Sequence, residues 1–428
     1  MRGHCGALRY APRPTQAMRS EAQLLLCCAR TRTDRGVTQR IRQLAAGPLD
    51  WVYFIRLALS HEVLTLVHST LKTVCGDAVP QAIDKQLERY ASRQAQRSAH
   101  LTGELLRLLT LLDAHAIPAL ALKGPALSTA VYRDLGLREF RDLDILIHRR
   151  DAPRAKDVLL ASGYALATPL NSDGFPSIYG KAEFCFRRKR DGLAVELCWR
   201  ISPHYFLKPL DLGTLGQRRS SIRLTGATVD TLPAEELLVA LCVHGSKHSW
   251  WLLRWICDVA ELIDAFPALN WQQVLDMARH LGCRRAVALG LLLAHVLLGA
   301  PLPERAHGEI EHDPQLLRLA TWIRRRLFAE VHVSLTDDRE RCLFDLSLEW
   351  ERRLYYLKLT ERLPDRVWNI LLLASAPLSL VLRPSPRDRS LVALPKPLSF
   401  LYSLARPFRI GMRYGALSLG KRGTANRL

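Results

Sequence analysis

The chain is short of acids. Asp and Glu number 41 against 61 Lys and Arg, a net charge of +20 over 428 residues. No acid precedes Glu21, and none follows Asp388, although eight Lys or Arg still lie beyond it. Such a balance favours anionic partners (nucleotides, nucleic acid or an acidic membrane surface) and does not choose among them. High-GC coding also accumulates arginine. The ten cysteines are scattered, with no C-x-x-C. Cys27 and Cys28 are neighbours, and Cys185, Cys198, Cys242 and Cys257 sit in apolar runs. They read as reduced, buried thiols of a cytoplasmic protein, not as a disulfide framework. The first twenty residues carry Arg2, Arg9, Arg13 and Arg19 but no apolar core of the signal-peptide kind. They read as a disordered basic extension, with Met18 an alternative start. No apolar run reaches the ~20 residues a membrane-spanning helix needs. The nearest, Val367–Leu382, is sixteen residues long and is interrupted by Asn369 and Pro377. No RNA-binding module is recognisable, so charge permits nucleic acid as a partner and no module indicates it.

What remains is a chain able to fold. An apolar fraction of 48% supports real cores, and the length suggests two or three domains. Residues 21–115 read as helical. Trp51, Phe54, Ile55 and Ala58, then Val63, Leu64, Val67 and Leu71, recur at helical spacing, and Asp50 stands where a helix cap is expected. Lys85–His115 reads as one long helix.

The stretch Leu122–His148 organises the rest. Lys123-Gly124 closes an apolar run. Pro125–Leu135 has helical spacing, with Leu127, Val131 and Leu135 on one side. Then come Arg138, Arg141 and the strand Asp142–Ile147. Alternate side chains of a strand share a face, so Asp142 and Asp144 point one way and Leu143 and Ile145 the other. Adjacent carboxylates repel one another, and a divalent cation removes that repulsion. Hard oxygen ligands suit Mg²⁺. Further on, Ala182–Lys189 and Leu193–Trp199 read as two strands joined by a turn at Arg190-Asp191-Gly192. Glu196 lies in the second, flanked by Val195 and Leu197.

This arrangement resembles the polymerase-β-like nucleotidyltransferase superfamily: a strand, a Gly turn opening a helix, a D-x-D strand and a later carboxylate. More narrowly, LKGPAL, RDLDILI, VELCWR and LCVHGSKHSWWLLRWICDVAEL are similar to the bacterial family of uncharacterised nucleotidyltransferases, over roughly residues 45–300. The resemblance implies an α+β fold, with a small mixed-sheet core flanked by N-terminal helices and a C-terminal helical domain. It implies a Mg²⁺- or Mn²⁺-dependent enzyme that moves a nucleoside monophosphate from an NTP, such as ATP, to an acceptor it does not name. Asp142, Asp144 and Glu196 would hold metal and catalyse, and Lys123, Gly124, Arg138 and Arg141 would bind the nucleotide. Many superfamily members have Gly-Ser at the turn. Here Pro125 follows Gly124 and has no N–H to donate.

On this reading the core spans 116–232 and ends in one further strand, Ser221–Leu232. A helical domain spans 233–360 and a basic, apolar tail 361–428. Asp151–Ser162 reads as a helix closed by Gly163. Residues 301–314 read as a linker. His244 and His248 lie one helical turn apart, the spacing zinc uses, but without the Glu of a metalloprotease motif. With Arg254 and Asp258 they read as lining the cleft, and Arg254 and Asp258 could pair with each other. The tail interleaves Leu398, Phe400, Leu401, Leu404 and Phe408 with Arg406, Arg409 and Arg413. That pattern suits an anionic membrane, and so a peripheral place at the inner membrane, or docking on the protein itself. The rival to an enzyme is a non-catalytic nucleotide-binding or membrane-associated scaffold that keeps the fold.

Overall fold

The computed structural model describes residues 18–171, 173–176, 182–202, 210–215, 218–329 and 346–374. The expected extension, up to residue 17, and the tail beyond residue 374 fall outside these. The chain divides into two compact units. The first comprises residues 1–345 and 358–362, the second 346–357 and 363–428.

The first unit begins with helices α1 (Ser20–Cys28), α2 (Arg35–Ala45), α3 (Trp51–Ser60) and α4 (Leu64–Cys75). Asp50 caps α3, its carboxylate accepting the Tyr53 N–H at 2.9 Å. A 34-residue helix, α5 (Gln81–Ala114), leads into strand β1 (Ala119–Ala121). A short helical turn, Pro125–Leu127, continues as a π turn over Ser128–Tyr132 and ends at Arg133 in the left-handed region. The helix expected through Leu135 therefore stops early. Tyr132 is held in place by a hydrogen bond from its hydroxyl to Asp258, 2.8 Å away.

Strand β2 (Asp142–Ile147) follows, then α7 (Ala152–Ala161) after the short Pro125–Leu127 helix, counted as α6. Strands β3 (Tyr164–Leu166), β4 (Glu183–Arg188) and β5 (Ala194–Cys198) complete a mixed sheet of order β1-β2-β5-β4-β3. Only β2 and β5 run parallel; the other neighbours are antiparallel. One face of the sheet is aliphatic and aromatic. Leu143, Ile145, Ile147, Val195, Leu197, Phe184 and Phe186 pack there on Leu101, Leu105 and Leu108 of α5 and on Ala155 and Leu159 of α7. At the edge of this face the Arg188 guanidinium is buried against Glu104, which also accepts from the Tyr164 hydroxyl and, at 2.6 Å, from Arg107.

The expected strand over Ser221–Leu232 is instead a hairpin, β6 (Ser220–Leu224) and β7 (Ala227–Thr231), forming its own two-stranded sheet and turning at Thr225-Gly226. Helices α9 (Ala234–Lys247), α10 (Leu253–Ala265), α11 (Trp271–Leu281) and α12 (Arg284–Leu298) come next, after a single turn, α8, at Leu212–Leu215. The α9–α10 turn is wedged by Trp250, which is fully buried. A Cβ on Gly245 would lie 2.3 Å from its ring, and one on Gly290 3.1 Å. Only glycine leaves room for the indole at either position. The segment read as a linker holds a helix, α13 (Glu304–Glu311), and α14 (Pro314–Leu327) follows it. In the second unit the helix Leu363–Ala374 leaves Leu363, Val367, Ile370 and Leu371 exposed. Among the described residues no helix is long and apolar enough to cross a membrane.

Candidate active site

The face of the sheet opposite the aliphatic core carries the acids. Strand parity puts Asp142 and Asp144 on it from β2, Glu196 and Cys198 from β5, and Glu183 and Cys185 from β4. The register aligns them in rungs. Asp144 pairs with Glu196, which pairs with Cys185, while Cys198 pairs with Glu183. Donor atoms of Asp144, Glu196 and Cys198 lie within 4.8 Å of one another, and so do those of Glu183, Cys185 and Glu196. Neither group includes His244 or His248.

Such crowding has an electrostatic cost. Burial, then the neighbouring Asp144, pushes the Asp142 carboxyl above its ordinary range. Burial pushes Glu196 up to about 7, with Asp144, Glu183 and Asp142 adding to it. The nearest positive charge is Lys123, whose Nζ lies 2.9 Å from Asp144 Oδ1. Burial alone would lower that ammonium, but Asp144 and Asp142 more than reverse it and the pKa rises. Lys123, and Lys247 whose Nζ lies 3.7 Å from Glu183 Oε2, do not balance the four carboxylates Asp142, Asp144, Glu183 and Glu196. The cluster fits an added cation: the carboxylates are hard oxygen donors, two are raised in pKa by burial and by their acidic neighbours, and an ammonium already stands against a third.

Backbone geometry puts Lys123 there. Leu122 N–H donates to Asp144 O at 3.1 Å, which carries the β1–β2 ladder one residue past β1. Gly124 then turns with φ +57 and ψ −128. A Cβ there would meet nothing closer than 3.6 Å, so glycine is needed for the backbone angle and not for space. The Lys123 Nζ also lies 3.4 Å from His244 Nδ1. An ammonium only donates, so Nδ1 accepts and the imidazole proton sits on Nε2. Burial, then the Lys123 charge, holds His244 well below its ordinary pKa, and it is neutral.

The two arginines expected to bind phosphate differ. Arg138 is 3% exposed. Its Nε and Nη2 grip Asp258 on α10 at 2.7 and 2.9 Å. Arg138 thus joins the segment before β2 to α10, and its Nη1 is buried without a partner. Arg141 is half-exposed and reaches Glu62 Oε1 at 3.4 Å. Arg254 does not pair with Asp258, as helical spacing allowed. It holds Glu62 Oε2 at 2.9 Å and donates to Glu139 O at 3.0 Å. Their shared partner, Glu62, is itself in the left-handed region, at φ 55.

Sequence reasoning missed Glu183, Glu62 and the two thiols beside the carboxylates. Glu183 was findable. Once the hairpin is paired about Arg190-Asp191-Gly192, its parity places it on the Glu196 face. Glu62 carries no local signal, because its partners are far along the chain.

Residues 47–299 match the family described as uncharacterised nucleotidyltransferase, and the chain belongs to that family. Among solved structures it is similar to an antigenic nucleotidyltransferase-like protein from Paracoccidioides brasiliensis. That protein is 15% identical, and the match covers 51% of this chain and 98% of the other, with a TM-score of 0.28. No curated protein matches the chain.

Proposed function

We propose that this chain is a metal-dependent nucleotidyltransferase: it attaches the nucleoside monophosphate of an NTP to an acceptor and releases pyrophosphate. One observation carries the reading. Asp144 and Glu196 are rung partners on adjacent parallel strands, with Asp142 two residues away on the same face, and Lys123 is too little charge to neutralise them. Asp142, Asp144 and Glu196 would hold Mg²⁺ or Mn²⁺, which would supply the charge that phosphoryl transfer needs at the attacking and leaving oxygens.

The chain's own groups do the rest. Glu196 takes the proton of the acceptor's attacking group. Lys123 and the half-exposed Arg141 hold triphosphate oxygens. Gly124 turns the chain beside them. Arg138 acts through Asp258 to keep β2 and α10 in place, while His244, His248 and Arg254 wall the cleft. The acceptor is a small molecule, a protein side chain or RNA, and the expected location is a bacterial cytoplasm.

The test supplies each α-labelled NTP with Mg²⁺ or Mn²⁺ and a cell extract as acceptor pool. Label moves to an acceptor with the wild-type chain and not with the Asp142→Asn/Asp144→Asn double variant. Equal transfer by both overturns the assignment. Metal-dependent NTP binding without transfer supports the non-catalytic scaffold instead.

A second reading concerns location. The exposed Leu363, Val367, Ile370 and Leu371 lie at helical spacing on one face, and the sequence after Asp388 is basic without an acid. This combination suits an anionic bilayer surface. Co-sedimentation with phosphatidylglycerol vesicles, lost on Ile370→Asp/Leu371→Asp, is the expected outcome.

A further inference from the structure

A chain of aromatic rings leads away from the carboxylates. Lys123 touches both Asp144 and His244, which makes His244 the first ring of the series. The His244 and His248 centroids are 4.8 Å apart. His248 stacks on Trp255 at 4.9 Å with planes 29° apart. Trp251 meets Trp255 edge-on at 5.5 Å. Burial changes along the series: Trp255 is buried, the two histidines are partly covered, and Trp251 is 44% exposed. The outermost indole therefore offers a face to solvent.

Trp251 is also held where it is. The two residues before it, Ser249 and Trp250, sit in the left-handed region at φ 52 and 53, a conformation costly for side chains of this kind. The Trp250 wedge maintains it. Its ring is seated against Gly245 and Gly290, its N–H donates to Gly245 O at 2.9 Å and its Nε1 to Ser246 Oγ at 3.2 Å. The motif His244–Trp251 therefore divides its work. Gly245, Ser246 and Trp250 lock the turn, and the lock keeps the next indole turned out to solvent.

We propose that Trp251, backed by Trp255 and His248, is the platform on which the base of the nucleoside triphosphate stacks, with the phosphates toward Lys123 and the carboxylates. This rests on the nucleotidyltransferase reading and adds the site for the base. Every nucleobase has a π face, so stacking binds any of them, and the larger purines bind more tightly than pyrimidines.

The probes are α,β-methylene ATP and inorganic tripolyphosphate, each titrated calorimetrically with Mg²⁺ into the full chain. Trp251→Ala weakens the ATP analogue about ten-fold, leaves tripolyphosphate unchanged, and Trp251→Phe restores most of the loss. Trp251 is 44% exposed, so the variants stay folded, with a melting temperature lowered only slightly by the lost contact with Trp255. Unchanged affinity of Trp251→Ala for the analogue overturns the platform and leaves the nucleotidyltransferase reading standing. Equal losses for analogue and tripolyphosphate overturn it too, because the indole would then act on the phosphates or the fold. A wild-type chain that binds neither probe overturns both readings.

Discussion

The two faces of the β2–β5–β4 sheet are built from alternate residues of the same strands and obey opposite rules. On one, Leu143, Ile145, Val195, Leu197, Phe184 and Phe186 bury apolar surface and lack nothing. On the other, Asp142, Asp144, Glu196 and Glu183 crowd together, and burial with the neighbouring carboxylates raises the pKa of Asp142 and of Glu196. The first face stabilises the fold. On the second, burial and crowding work against ionisation. Charges that serve the fold face an opposite charge: Arg138 has Asp258, and Arg188 has Glu104. On the acid face Lys123 stands against Asp144 and Lys247 against Glu183, while Asp142 and Glu196 are raised in pKa. Local conflict of this kind marks a functional site.

The largest loss of stability is expected where a matched buried pair loses one member. Asp258→Ala strands the Arg138 guanidinium and should cost about 4 kcal/mol in chemical denaturation. A cost below about 1 kcal/mol would mean that water solvates Arg138. Next comes the aliphatic face. Leu197→Ala should cost about 3 kcal/mol while nucleotide transfer per folded molecule is kept, since only the core side is hollowed.

The acid face responds to pH instead. Glu196 is raised from 4.5 to about 7, so the folded chain binds this proton more tightly than the unfolded one. That contribution is complete below about 4.5 and is lost as pH rises through about 7. Asp142 is shifted in the same direction. Thermal melts should therefore show Mg²⁺ raising the melting temperature at pH 8 and hardly at pH 6, because a cation needs ionised ligands. The smallest effect is at Arg141. Its pair with Glu62 is half in water, so Arg141→Ala should change stability by less than about 0.5 kcal/mol. The KM for NTP should rise several-fold if Arg141 holds phosphate.

Much of this was legible in the chain. Strand β2, the hairpin at Arg190-Asp191-Gly192 and the Asp50 cap follow from period, turn chemistry and capping, all of which act over a few residues. What escaped is long-range. Tyr132 and Arg138 meet Asp258 some 120 residues later, and that contact ends the expected Pro125–Leu135 helix early. Arg254 and Asp258 looked like a helical pair, yet each has a distant partner that offers better geometry. Helix α13 was hidden in a stretch with Pro301, Pro303 and Gly308, which read as linker. Glu183 was hidden only because register had to be assigned before its face could be known.

The most direct test of the account is Asp142→Asn, measured for both stability and transfer at pH 8 without and with Mg²⁺. The carboxylate lost has a raised pKa and pairs with no lysine of its own. The account predicts a melting temperature at or above wild type without Mg²⁺, together with loss of Mg²⁺ stabilisation and of label transfer from α-labelled NTP. A destabilised Asp142→Asn that still transfers label would contradict it, because Asp142 would then serve the fold and not the reaction.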